Sequence, residues 1–157
     1  MEYRLLAVGL LALASLTACG STTPAPARPA LPERLWVDDA RRFVATLDSD
    51  IGLTVSAGPT LADARRAMAG ADGIYTMLVA YSLFGDCSRA LAAVGAPSPR
   101  EHRVVSTLAA ACSRLEHAAV LFQRAMTRNE PRVLLAATRA SLGAAPLLAR
   151  ARFLLDE

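Results

Sequence analysis

Residues Ser98–Arg128 read SPREHRVVSTLAAACSRLEHAAVLFQRAMTR, and this stretch decides the fold class. Ser98 stands at an N-cap, Pro99 at the first helical position and Glu101 at the third, the arrangement of a capping box. From there Val104, Leu108, Ala111, Leu115, Ala118, Phe122 and Ala125 recur at alternating steps of four and three. That is the apolar stripe of one long helix, running to about Arg128. Val105, Cys112, Ala119 and Met126 lie beside the stripe at steps of seven, so Cys112 points to the buried side.

The chain before this helix reads the same way. Trp36, Ala40, Phe43, Leu47 and Ile51 mark a first helix from about Glu33 to Asp50, and Gly52 to Pro59 should break it. Asp38 and Arg42 sit four apart on its outer face, a weakly stabilising pair. Thr60 can cap a second helix reaching about Phe84, with Leu61, Ala64, Met68, Ala71, Ile74, Leu78 and Tyr81 inward. Gly70 and Gly73 inside it are positions where it can kink or split. Gly85 ends it. Asp86 can then cap a short helix from Cys87 to Val94, closed by Gly95.

After Arg128, Pro131 starts a helix to about Leu142, Gly143 to Pro146 interrupts, and Leu147 to Asp156 forms the last helix. No alternating Val/Ile/Thr-rich stretch is present, so no sheet is predicted. The expectation is an all-α, up-and-down bundle of about four longer helices plus a short one. Alanine on the inner faces lets the helices approach closely.

Residues 1–18 have the three parts of an export signal: a short segment with Arg4, an apolar stretch from Leu5 to Leu16, and small residues at the end. A membrane-spanning helix needs about 20 apolar residues, so a stretch of about twelve is too short to remain as one. Glu2 weakens the positive charge of the first segment. The stretch closes on Leu16-Thr17-Ala18-Cys19, which resembles the bacterial lipobox of Leu, two small residues and Cys. The resemblance covers roughly a fifth of the chain, and it implies a lipoprotein precursor. In that family the Cys19 thiol receives diacylglycerol and the chain is cut before it. Two or three acyl chains then hold a protein firmly to a bilayer, where one holds it only marginally.

Residues 19–32 follow with four prolines and nothing large and apolar before Leu31, the composition of an extended tether. The remaining residues, 33–157, are enough for one domain with a real core. The resemblance places this domain on the extracytoplasmic side of the cell membrane or outer membrane. An exported protein would not meet nucleic acid.

Cys87 and Cys112 are the cysteines left after lipidation. A pair in an oxidising compartment is usually a disulfide, and here there is no Cys-x-x-Cys and no His at ligand spacing. All 17 basic residues are Arg. From Leu31 to Asp86 there are 5 Arg and 8 acids, net −3; from Cys87 to Glu157, 10 Arg and 5 acids, net +5. Unequal halves can pair within one domain or present a basic face to an anionic partner. Arg103, Arg114, Arg124 and Arg128 form an outer row on the long helix. They are candidates for contact with lipid phosphate or an anionic wall polymer.

Signs of other chemistry are few. His102 and His117 are fifteen residues apart on the long helix, roughly 22 Å, too far to share a metal. Asp48-Ser49-Asp50 lacks the third ligand and distal Glu of a calcium loop. There is no Gly-x-Ser-x-Gly, no Ser-x-x-Lys, no haem-attachment motif and no phosphate-binding glycine loop. No cofactor, metal or catalytic residue is predicted. Aromatics are scarce, which argues against a sugar-binding platform. The expected role is a non-enzymatic envelope module that contacts another protein or a polymer. The alternative is a carrier or chaperone opening its Ala-rich bundle around a lipid-like ligand, which would need an apolar cavity of a few hundred Å³. An enzyme would need a cleft of convergent polar groups with shifted pKa values.

Overall fold

The computed structural model describes residues 33–95 and 98–157. The expected export signal, Cys19 and the proline-rich stretch lie outside the described residues. The domain is an all-α bundle with no strand among those residues. Its helices are α1 (Glu33–Ala57), α2 (Leu61–Ala69), α3 (Ala71–Gly85), α4 (Cys87–Ala93), α5 (His102–Arg128), α6 (Pro131–Leu142) and α7 (Ala145–Asp156). A 3-10 turn at Pro99–Glu101 leads into α5.

Half of the predicted capping box forms at that turn. The Ser98 N–H donates to the Glu101 carboxylate, but the Glu101 N–H goes to the Ser98 carbonyl at 3.0 Å, the bond of the 3-10 turn, and the Ser98 hydroxyl is left without a partner. Every member of the predicted α5 stripe, from Val104 to Ala125, is buried. α5 is the hub of the bundle, packing on α3, α4, α6 and α7. α1 covers α3, α6 and α7 from outside that hub, and α2 lies on α6. Asn129 ends α5 in the left-handed conformation (φ 54°), with its N–H bonded to the Ala125 carbonyl. Pro131 then opens α6 as expected.

α1 does not break at Gly52; it continues to Ala57 and yields only at Gly58–Pro59. Glycine costs a helix interior about 1 kcal/mol relative to alanine. Ile51 and Thr54, both buried, and half-buried Val55 hold the extra turns against the core.

The second predicted helix is two helices. Thr60 caps α2: its hydroxyl accepts the Asp63 N–H at 3.2 Å, and its own N–H donates to the Asp63 carboxylate at 3.2 Å. Gly70, in extended conformation, ends α2, and α3 leaves at 104° to it. At this elbow a Cβ on Gly73 would lie 3.2 Å from the Ala67 Cα, so any larger residue would push the two helices apart by a few tenths of an ångström. The turn resets the helical phase. α3 therefore buries Met77, Ala80, Tyr81 and Phe84, while Leu78, expected inside, is exposed.

Asp86 occupies the N-cap of α4 without bonding a free N–H there; its carboxylate pairs with Arg89. The Ser88 N–H is taken instead by Glu116 of α5 at 2.8 Å. One turn away on α5, Cys112 is joined to Cys87, with Cα atoms 5.2 Å apart. Together these two links clamp α4 onto α5. Gly95 ends α4 with φ 106°, and its carbonyl accepts the Trp36 indole N–H at 3.3 Å. The start and the middle of the described domain are thereby joined.

Candidate functional site

The outer arginine row is at the surface, as its spacing requires, but its members are not equivalent. Arg103 sits 3.9 Å from the Glu157 carboxylate. Arg114 donates to the Gly143 carbonyl, at the joint between α6 and α7, so it closes a helix end. Arg124 and Arg128 form no ion pair among the described residues. The free part of this row is thus the C-terminal end of α5. There a groove of about 350 Å³ runs past Leu61, Arg65, Glu130, Pro131 and Arg132.

His102 and His117 are both exposed, and the His102 Nδ1 lies 3.3 Å from the Ser98 carbonyl. Asp48 pairs with Arg152 of α7 at 3.3 Å. Asp50, two residues on, is only 7% exposed, and its Oδ2 is buried without a hydrogen-bond partner. Burial pushes its carboxyl above the usual carboxylate range. Asp63 moves the other way, held down first by the Thr60 hydroxyl and then by Arg66.

A second groove, about 530 Å³, opens where the two ends of the domain meet. Val37 of α1, Glu101, Arg103 and Val104 at the start of α5, and Leu154 and Leu155 of α7 line it. Glu101 is nearly buried, with one oxygen on the Ser98 N–H and the other unpartnered. Its position is explained by the cap it makes.

Periodicity did not reveal the polar cluster inside the bundle. The Thr54 hydroxyl of α1 is 3.0 Å from the Ser141 hydroxyl of α6. Ser141 also bonds the Thr138 carbonyl at 2.8 Å, and Thr138 bonds the Leu134 carbonyl at 3.3 Å. The Tyr81 hydroxyl of α3 enters the same region and is buried without a hydrogen bond of normal length. Burial raises its pKa, and the hydroxyls of Thr138, Ser141 and Thr54 oppose that rise. The Tyr81 ring is stacked on Phe122 (4.4 Å, 13°) and meets Phe84 edge-on (5.4 Å, 88°). Thr54, Thr138 and Ser141 satisfy their hydroxyls on helix carbonyls, which is what a packed interior demands of threonine and serine. Thr138 and Ser141 lie three apart on the stripe of Leu134 and Ala137, the one signal that could have placed them inward.

No protein-family model, curated protein or solved structure matches the chain.

Proposed function

We propose that this protein is a lipid-anchored lipoprotein of the bacterial envelope, with a non-enzymatic helical domain that contacts an envelope protein or anionic polymer. One observation carries the reading: Leu16-Thr17-Ala18-Cys19 closes a twelve-residue apolar stretch and opens a proline-rich one. Lipidation at Cys19 then fixes the domain to a membrane from its N-terminal side. The Cys87–Cys112 link supports the same compartment, because such bonds persist outside the cytoplasm and are rare within it. For the anionic contact, Arg124 and Arg128 are the candidates, since Arg103 and Arg114 already have partners within the domain.

Intact-mass and N-terminal peptide spectrometry of the protein from its native membranes tests the anchor. The expected product begins at Cys19 and carries diacylglycerol on its sulfur. A chain that keeps residues 1–18 and bears three free thiols would overturn the assignment. For the basic surface, an Arg124→Glu/Arg128→Glu protein should bind anionic vesicles or wall polymer several-fold more weakly than the parent.

A further inference from the structure

α3 is apolar on two opposite sides. Met77, Ala80, Tyr81 and Phe84 enter the core, while Tyr75, Leu78, Val79 and Leu83 are 70, 51, 41 and 46% exposed. Steps of three, one and four put these last four in a single stripe. No charged residue falls between Gly73 and Gly85. A helix apolar all round is normally enclosed all round. Among the described residues nothing covers this side.

We propose that the α3 stripe rests on the bilayer to which the chain is anchored, making the domain a peripheral membrane domain with a defined face toward lipid. The proposal builds on the lipid-anchor reading above and adds an orientation to it. Three features select the bilayer as occupant. The first is size. Four partly exposed side chains make a patch of a few hundred Å² at most. A stable dimer buries roughly 800 Å² on each partner, so a second copy would be held poorly. A domain already held at a surface needs only a weak contact to settle its orientation, because the anchor supplies the association.

The second is position. The tether joins the domain at the start of α1, where Trp36 bonds the Gly95 carbonyl at the end of α4. α4 starts two residues after α3 ends. Its seven residues rise about 10 Å, and the path from Leu83 through α4 and the Trp36–Gly95 bond to the tether's attachment is on the order of 30 Å at most. Fourteen tether residues, at about 3 Å each when extended, span that distance with length to spare. The third is chemistry. The stripe is uncharged, and Tyr75 supplies a ring with an apolar body and a polar tip, the residue type enriched where hydrocarbon meets headgroups.

The test uses full-length lipidated protein in phosphatidylcholine/phosphatidylglycerol vesicles, with some lipids brominated along the acyl chain to quench tryptophan. Tyr75→Trp and Leu83→Trp report on the stripe, and Ala149→Trp, on the exposed side of α7, is the reference. The buried Trp36 signal of the parent is subtracted. The expected result is blue-shifted emission and several-fold stronger quenching at positions 75 and 83 than at 149. Adding Leu78→Ser to Tyr75→Trp should lower its quenching toward the reference. Equal quenching at all three positions, in protein that still floats with the vesicles, overturns the lipid-facing stripe and leaves the anchor standing. Protein that no longer floats overturns both. An emission shift that grows with protein concentration and persists without lipid would assign the stripe to a second copy and also overturn the proposal.

Discussion

α3 and α5 meet through the stacked rings of Tyr81 and Phe122 and share one core, yet they present different faces to water. α5 is long and apolar enough, by length and composition, to cross a membrane, and the bent α2–α3 pair passes the same measure. α5 resolves its two sides with one exception, Val120, which is exposed. Val104, Leu108, Leu115 and Phe122 go inward, and Arg103, Arg114, Arg124 and Arg128 go outward. α3 sends Met77 and Phe84 inward but shows Tyr75 and Leu83 outward. The core makes the same demand on both helices, one apolar side each. What the other side carries is independent of folding, so its composition reports on surroundings beyond the domain.

Paired truncations put this difference at risk most directly. Leu115→Ala on α5 empties a fully buried site and should cost about 3 kcal/mol in urea unfolding. Leu78→Ala on the outer side of α3 should change stability by less than about 0.5 kcal/mol. A comparable loss at both positions would mean that the outer side of α3 is packed in the folded protein. The clamp between α4 and α5 comes next. Replacing both cysteines (Cys87→Ala/Cys112→Ala) releases a loop with a sequence separation of 25 and should cost roughly 3 kcal/mol. The midpoint of denaturant unfolding under non-reducing conditions reads this.

Asp50 gives a smaller effect with a definite sign. Its folded pKa is raised, so the folded state holds the proton more tightly than the unfolded chain. Stability contributed by protonated Asp50 is present below the ordinary carboxylate pKa and is lost as pH rises through the folded value. Asp50→Asn should therefore be more stable than the parent at pH 7, with the difference vanishing near pH 3. Thermal unfolding of both proteins at the two pH values checks it. The smallest change is expected at Tyr81→Phe. It removes a buried hydroxyl with no hydrogen bond of normal length, so unfolding should shift by less than about 1 kcal/mol, in either direction.

The legibility of these parts follows from how far each residue's partner lies along the chain. α5 could be read almost residue by residue because cap, stripe and C-terminal stop are all local. Thr60 and Pro131 were legible for the same reason, and Cys87 with Cys112 because the two follow one another in one short segment. The end of α1 is not legible locally, because Gly52 is a helix-weakening signal overruled by burial of Ile51 and Thr54. On α3 the stripe continued from α2 is right for Tyr81 and wrong for Leu78, because the elbow at Gly70 shifts the phase of the helix. The outer arginines were legible as exposed. Their division into engaged and free members was not, since Glu157 and Gly143 approach from distant parts of the chain. Likewise, Glu116 reaches α4 from 28 residues away, and no cap motif announces it.

The link between Cys87 and Cys112 makes a covalent ring of the segment that holds α4, the 3-10 turn and the opening turns of α5. A peptide bond cut anywhere inside that ring would not release either half of the molecule. The nicked protein would keep the mass of the intact one, plus one water, until a thiol reductant was added. Proteolytic damage at this place would go unseen on a gel run without reductant, and would appear as two fragments on one run with it.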